Sequence, residues 1–230
     1  MTLAWIAGGL VVLLLAGLLG RRLASRPRQA RHGRERATIK TLNDSTTVDA
    51  ASGAVRSVQQ ADLLIGTDAL AEIWTPAHLE RLARTYWRFL TRVTLGLIRV
   101  HYTEGERSVV LLLAPLRLLT FHAPEYEMDA SRGLVRWRIA RGLLVARRGR
   151  DGAGYLQIEV RRRPGQDPDT TQLHVEVAVV NFYPSISGLS LRLYNATQSR
   201  IHVIITYGFL RSLARLDLAE SRVGRLAPQS

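Results

Sequence analysis

The chain has 230 residues, of which 47% are apolar, and it contains no cysteine. That length gives room for one membrane or targeting element and one domain of ordinary size, and the apolar content excludes disorder throughout. Without cysteine, disulfides, thiolate metal sites and cysteine nucleophiles are all excluded.

The net charge of +13 is unevenly distributed along the chain. All 32 basic residues except Lys40 are arginine, a bias that indicates a GC-rich, bacterial genome. Residues 21–40 carry a net +7, and a second cluster of ten arginines lies within residues 132–163. Residues 41–74 are acidic. The positions of these clusters therefore say more about binding surfaces than the total charge does.

The N-terminus carries an uncharged segment over residues 3–19, followed by seven arginines within residues 21–36. Together with Gly20, a helix over this segment would be about 27 Å long, close to the ~30 Å hydrocarbon core of a bilayer. A secretory signal carries its positive charge before the apolar segment, and here the charge follows it. Residues 1–20 are therefore predicted to be a retained transmembrane anchor and not a cleaved signal.

The arginines after the anchor predict its orientation, because basic residues near a span stay on the cytoplasmic side. The N-terminus is expected outside the bacterial inner membrane and the remaining chain in the cytoplasm, as a single-pass protein. Anionic lipid would attract the arm, with Arg21, Arg22, Arg26 and Arg28 in contact with the membrane surface.

A composition rich in Ser, Thr, Asp, Ala and Gly follows, as in "NDSTTVDAASGAVRS". Residues 21–57 are predicted to form a polybasic juxtamembrane arm and flexible linker. Residues 58–218 are predicted to form one α+β globular domain, and residues 219–230 a flexible tail.

The first regular element of the domain is a helix over "TPAHLERLARTYWRFLTRV". Thr75 is a plausible N-cap and Pro76 takes the first helical position. Apolar residues recur at helical spacing along one face. The opposite face carries a stripe of four arginines that could rest on an anionic membrane surface, or simply be solvated: Arg81, Arg84, Arg88 and Arg92.

Strand patterns then dominate the sequence as far as "QLHVEVAVVNFY". About seven short segments separated by turns, including "LLVARRG" at 143–149, predict an antiparallel, curled meander. In the clearest one, Leu156, Ile158 and Val160 alternate with polar residues. The C-terminal segment 195–218 has β-branched residues but a helical periodicity, and its length favours a long helix.

This order of a helix, a long meander and a final helix resembles the START/SRPBCC (helix-grip, Bet v 1-like) superfamily. The resemblance lies in "WRIARGLLVARRGRDGAGYLQIEV" at 137–160 and in residues 180–216, and it covers about 60–216. It implies a curled antiparallel sheet packed on a long C-terminal helix around an apolar cavity. A similar open barrel, the NTF2-like cone, is the alternative fold.

No motif in the sequence supports catalysis, and no cofactor or metal is predicted. His174 and Glu176 share a strand face and could hold a metal, but no ligand spacing supports this. Glu125, Glu127 and Asp129 form an acidic ladder that is expected to pair with nearby arginines. The cluster at 132–163 includes Trp137 and Tyr155, as a single-strand nucleic-acid platform would, but no nucleic-acid motif is present.

The function that these features favour is binding of a hydrophobic small molecule or lipid by a membrane-anchored domain that faces the cytoplasm. The alternatives are a tethered interaction or scaffold module without a ligand, and a cyclase-like enzyme with polar groups such as His122 or Glu176 in the cavity. The candidate cavity liners are apolar residues of the sheet and of the final helix: Leu112, Phe121, Trp137, Ile139, Ile158, Val177, Val179, Ile205 and Phe209.

Overall fold

The structure is a computed structural model that describes residues 37–111, 116–150 and 154–185. The predicted anchor, the basic arm, the C-terminal helix and the tail lie outside these residues. Within them, no helix has the length and apolar character needed to cross a membrane.

The described residues form nine strands and two helices. The strands are β1 (Ala37–Val48), β2 (Val55–Gly66), β3 (Ile98–Tyr102), β4 (Glu106–Leu111), β5 (Arg117–His122), β6 (Glu125–Met128), β7 (Arg132–Arg141), β8 (Tyr155–Pro164) and β9 (Thr170–Phe182). The helices are α1 (Thr67–Ile73) and α2 (Pro76–Val93), both between β2 and β3.

The strands form one curled antiparallel sheet in the order β1-β2-β9-β8-β7-β5-β4-β3, with β6 paired to β7. Helix α1 contacts β2 and β9, whereas α2 contacts β3 and β7. Both helices therefore cover one face of the sheet, which we call the core face; the other is the outer face.

Strand β1 stands where the composition predicts a flexible linker. It pairs with β2 from Ala37 opposite Ile65 to Val48 opposite Val55. The side chain of Asp49 accepts hydrogen bonds from the backbone N–H and the hydroxyl of Ser52, which closes the hairpin. Residues 37–48 and 55–57 thus belong to the sheet. Their polar composition is typical of an edge strand, which keeps its exposed side chains hydrophilic.

Helix α2 begins as its sequence predicts. The hydroxyl of Thr75 accepts a hydrogen bond from the backbone N–H of His78, and Pro76 occupies the first turn. Capping of this kind satisfies an N–H that the helix leaves without an internal partner. The predicted apolar face is confirmed over its first three turns, where Leu79, Leu82, Ala83 and Tyr86 are buried.

An aromatic cluster joins α2 to the sheet. The ring of Trp87 meets that of Trp137 on β7 edge to face, with centroids 5.1 Å apart. The ring of Phe121 on β5 lies 5.4 Å from Trp87. Such pairs add about 0.5–1.5 kcal/mol each beyond their burial. The cluster therefore fixes the helix over β5 and β7.

Residues 143–149 do not form the predicted strand. Val145 makes an isolated bridge to Pro184, and Arg147–Gly149 is a short 3₁₀ helix. The chain leaves the sheet at Gly142, whose φ of 149° is one that residues with a side chain rarely adopt. The segment begins with consecutive apolar residues, but the backbone turns before they can pair as a strand.

We expect Gly142→Ala to destabilise the fold, because its Cβ would lie 2.3 Å from the carbonyl oxygen of Leu118. Together with the unfavourable φ, the loss should be about 2–4 kcal/mol of unfolding free energy. Gly66→Ala is the control, since a Cβ there meets nothing within 4 Å. Chemical denaturation of the detergent-solubilised chain measures both, and equal stability of the two variants would contradict the assignment.

Candidate ligand cavity and the two faces of the sheet

A cavity of about 80 Å³ lies between the core face and the first turns of the two helices. Its walls are almost entirely apolar. The lining side chains come from β1, β2, β8 and β9 and from both helices, including Leu63, Ile65, Leu70, Ile73, Leu79, Leu82, Val160, Leu173 and Val175. It forms because the short helix α1 turns into α2 over the sheet and leaves a gap that no side chain fills.

Half-buried residues with polar groups surround the mouth of the cavity. His78 shares a hydrogen bond between its Nδ1 and the Thr75 hydroxyl at 2.8 Å, and its Nε2 lies 3.2 Å from a guanidinium nitrogen of Arg81. Burial, and then the charge of Arg81, lowers the pKa of His78. Nε2 therefore accepts from Arg81, and the ring is neutral at physiological pH.

Trp74 forms one wall of this mouth. Its indole N–H donates to the backbone oxygen of Asp129 at 2.9 Å. The guanidinium of Arg162 lies over the same ring, 5.5 Å from its centroid. A cationic group therefore stands beside an apolar opening, an arrangement suited to a ligand with an apolar body and a polar or anionic head.

None of the six predicted cavity liners that the structure describes lines this cavity. Phe121, Trp137, Ile139, Ile158 and Val177 are buried in the core, and Val179 packs against it. Leu112, Ile205 and Phe209 lie outside the described residues. The aromatic cluster fills the centre of the core face, so the gap opens towards the strand ends. Val160, Leu173 and Val175 continue the apolar alternation of β8 and β9. This alternation is the sequence signal that could have indicated them as lining residues.

Two polar atoms are buried in the core without a hydrogen-bond partner among the described residues: Oε1 of Gln59 and the indole Nε1 of Trp87. Gln59 uses its amide nitrogen to donate to the Ser57 hydroxyl at 3.0 Å, and that hydroxyl lies 2.9 Å from Thr46 Oγ1. A buried polar atom without a partner costs about 1–3 kcal/mol. Neither residue is among those that line the cavity, so both atoms lie elsewhere in the core.

The outer face of the sheet carries a compact charged network around Glu159, whose exposed fraction is 5%. Its Oε1 accepts from the guanidinium Nε of Arg132 at 2.7 Å and of Arg161 at 2.6 Å. Its Oε2 accepts from the Gln157 amide, whose oxygen in turn accepts two hydrogen bonds from Arg136. Every member of this network is satisfied.

Two of the three residues in the predicted acidic ladder also pair with arginine side chains. Glu125 accepts from Arg138 at 2.6 Å, and Glu127 lies 3.3 Å from Arg132. Asp129 instead accepts hydrogen bonds from the turn that follows it. Because its arginines are neutralised within the sheet, this face does not present the continuous positive surface that nucleic acid requires.

The suggested metal ligands make ordinary contacts on the outer face. His174 Nδ1 lies 2.8 Å from a carboxylate oxygen of Asp62, and Glu176 accepts a hydrogen bond from Gln60. In the part of the chain that the structure describes, no three metal-ligating side chains come together. His122 is exposed and neither it nor Glu176 lines the cavity.

The arginine stripe of α2 is divided between two environments. Arg84 pairs with Glu80 at 2.6 Å and lies over the ring of Tyr102, while Arg81 contacts His78. Arg88 and Arg92 are exposed. The predicted contact of this stripe with a membrane stays a prediction, and its C-terminal half is the part free to make it.

No protein-family model matches the chain, and no curated protein matches it either. Several solved structures are similar to the chain. Human StAR-related lipid transfer protein 5 aligns with 90% of this chain and 97% of its own, at 11% identity and a TM-score of 0.38.

Two bacterial structures are also similar. CalU16 from Micromonospora echinospora aligns at 15% identity over 84% of this chain and 83% of its own, with a TM-score of 0.31. A fragment of a STAR-related lipid transfer protein from Xanthomonas axonopodis aligns at 16% identity over 75% of this chain and 98% of its own, with a TM-score of 0.31. START-related and SRPBCC-like proteins are thus among the chains this one resembles, at low identity. At these TM-scores function must be argued from the chain's own residues.

The network around Glu159 makes a pH-dependent contribution to stability. Burial raises the pKa of this carboxyl, but hydrogen bonds from Arg132 and Arg161 outweigh burial and lower it below its ordinary value of 4.5. The ionised form therefore stabilises the fold at neutral pH, and this stabilisation is lost as the pH falls below that value.

We expect Glu159→Gln to lower the unfolding free energy by about 1–2 kcal/mol at pH 7. Denaturation measured from pH 7 to pH 3 should show the difference between variant and wild type shrinking. Glu104→Gln, an exposed residue of the β3–β4 hairpin, should have no measurable effect. A difference that grows in acid would show that Glu159 is protonated in the fold.

Proposed function

We propose that this protein is a membrane-tethered domain that binds a hydrophobic small molecule or lipid between the core face of its sheet and its helices. The observation that carries the proposal is the apolar cavity beneath Trp74 and Leu79, which opens beside a cationic residue. Ligand sites are typically apolar hollows with few polar groups that orient the ligand.

The size of the cavity limits what it holds by itself. Pockets for small-molecule ligands begin at about 300 Å³, and this cavity measures about 80 Å³. We therefore propose that it receives one end of a longer apolar ligand. The rest of the ligand would extend along the core face, beneath a covering helix formed by residues 195–218.

The buried polar atoms support a ligand with a hydrogen-bonding group. Oε1 of Gln59 can accept from a ligand hydroxyl, and Nε1 of Trp87 can donate to a carbonyl or hydroxyl oxygen. Each such bond removes the cost of a buried group without a partner. A purely hydrocarbon ligand would offer neither atom a hydrogen-bond partner.

The small volume favours a second candidate function. A tethered interaction or scaffold module needs a filled core, and the aromatic cluster fills the centre of this one. Such a protein would carry no ligand. A cyclase-like enzyme has less support, because His122 and Glu176, which it would need inside the cavity, are not among the lining residues.

The membrane part of the proposal rests on the sequence. Residues 1–20 would form the anchor, and the arginines that follow would hold the domain on the cytoplasmic side of a bacterial inner membrane. Arg21, Arg22, Arg26 and Arg28 would contact anionic lipid.

We expect lipids or other apolar molecules to co-purify with the wild-type chain and to be identified by mass spectrometry. Val175→Phe adds bulk to the cavity wall and should reduce the recovered ligand about threefold or more. Val180→Phe is the matched control, because this residue lies on the same strand and faces outwards. Recovery of nothing above background from the wild type would favour the scaffold.

The orientation is tested separately by a reporter fused after Ser230. A reporter that works only in the cytoplasm should be active, because the arginines after the anchor keep this side of the chain inside. Activity of a reporter that works only in the periplasm would overturn the orientation without bearing on the ligand.

A further inference from the structure

Three leucines are exposed at the end of the sheet where α2 finishes. The exposed fractions are 60% for Leu95, 41% for Leu116 and 39% for Leu143. Single exposed leucines are common on soluble proteins, but several at one place indicate a contact surface.

The strand pairing brings the three leucines together. Ile98, three residues after Leu95, pairs with Leu111. The N–H of Leu111 in turn donates to the oxygen of Leu116 at 3.1 Å. The N–H of Leu143 donates to the oxygen of Arg117 at 3.0 Å. Since adjacent strands are ~4.8 Å apart, the leucines spread over roughly 15 Å. All three therefore lie at the same end of the sheet.

Leu95 is also held in an unfavourable backbone conformation. Its φ is 55°, a left-handed value that glycine and asparagine adopt readily and leucine rarely does. This conformation closes the helix end, where the N–H of Leu95 donates to the oxygen of Arg92 at 3.2 Å and that of Gly96 to the oxygen of Thr91 at 2.8 Å. A leucine here is strained and gains little burial, so its side chain has no evident role within the domain.

Arginines flank the leucines. Arg99 and Arg117 both lie opposite Val110, on its two neighbouring strands, and so share one face of the sheet. Among the described residues neither has an acidic partner. The two strands are separated by β4 and are therefore about 10 Å apart, a distance at which two like charges repel weakly and together attract an anion. This pair therefore favours an anionic surface.

A second group of arginines extends the positive charge at this end. Arg147, Arg148 and Arg150 follow Leu143 in the chain, and Arg148 lies over the ring of Tyr183, 5.1 Å from its centroid. Arg148 also lies near Gly53 of the β1–β2 turn, in which the carboxylate of Asp49 is bonded to Ser52. Asp151, which follows Arg150 in the sequence, lies outside the described residues. We call the three leucines with these five arginines the basic end.

We propose that the basic end docks on an anionic lipid bilayer, with the leucines in the hydrocarbon and the arginines at the lipid phosphates. A bilayer fits better than a nucleic acid, which offers nothing to exposed leucines. It also fits better than a shaped protein groove, because separate apolar tips enter a fluid hydrocarbon without matching its form. The proposal is independent of the proposed ligand.

The N-terminal arm is long enough to permit this docking. The described chain begins at Ala37, opposite Ile65 at the far end of the sheet. Strand β1 has 12 residues and is therefore about 40 Å long. The 16 residues at 21–36 can span up to ~55 Å when extended. An anchored chain can therefore reach back along β1 and place its basic end on the membrane.

The absence of cysteine allows a direct test with single labels. The full chain is reconstituted into vesicles as Leu95→Cys, Leu143→Cys or Tyr126→Cys, each carrying an environment-sensitive fluorophore. Tyr126 is the control, exposed to a similar degree on β6, away from the basic end. In vesicles containing phosphatidylglycerol, quenching by spin-labelled lipid should be about twofold or more greater at 95 and 143 than at 126.

Two results would overturn the proposal. In one, the labels at 95 and 143 are quenched by lipid no more than the label at 126. In the other, they are shielded from aqueous iodide without lipid contact, which would show that protein covers the leucines. Equal quenching in pure phosphatidylcholine would remove the role of the arginines and contradict the anionic part of the proposal.

A companion variant separates docking from folding. Leu95→Asn places a residue that tolerates the left-handed conformation, so the unfolding midpoint should stay the same or rise. Combined with Arg99→Gln and Arg117→Gln, it should reduce lipid quenching at position 143 about threefold or more. Arg163→Gln, at the other end of the sheet, should leave that quenching unchanged. Equal loss in both sets would contradict a localised surface.

Discussion

The packing of Trp87 against Trp137 is the contact on which the described domain depends. It fixes α2 across β5 and β7, and α2 in turn determines both of the features that bear on function. The first turn of the helix, with Thr75 and His78, forms the mouth of the cavity. The helix ends at Val93, and the basic end starts two residues later, at Leu95. One aromatic contact thus holds the two surfaces in a fixed relation.

The two faces of the sheet bury different kinds of side chain, although the same strands form both. On β8, Leu156, Ile158 and Val160 turn towards the helices, and Gln157 and Glu159 between them are buried on the outer face. Such burial is tolerated because each polar group of that network has a partner. The core face, by contrast, leaves Gln59 and Trp87 with polar atoms that lack one among the described residues. Among the described residues, the polar groups of the outer face are therefore satisfied, whereas these two atoms of the core face are not.

The sequence predicted helix α2, its cap, most strands and the pairing of the acidic ladder, because each depends on periodicity or on close neighbours. It did not predict β1, because an edge strand needs no apolar alternation. It also did not predict that the chain leaves the sheet at Gly142, because this turn depends on the close approach of Gly142 to Leu118. The predicted ligand cavity between the sheet and the final helix stays a prediction, because that helix lies outside the described residues. The cavity beneath Trp74 was not predicted, because its volume depends on how side chains pack across elements, which no pattern within one strand encodes.

The geometry of α2 also relates the two proposals to each other. The helix has 18 residues and is therefore about 27 Å long, with the cavity mouth near its start and Leu95 just beyond its end. A domain docked through its basic end would hold the mouth of the cavity away from that bilayer. Ligand exchange would then take place with a second surface or a soluble partner, not with the lipids beneath the docked leucines. If the mouth faced the membrane instead, Arg162 and Trp74 would meet the lipids and the leucines would point into water. The two orientations exclude each other, so the position of Leu95 relative to the bilayer determines which surface can exchange ligand with the cavity.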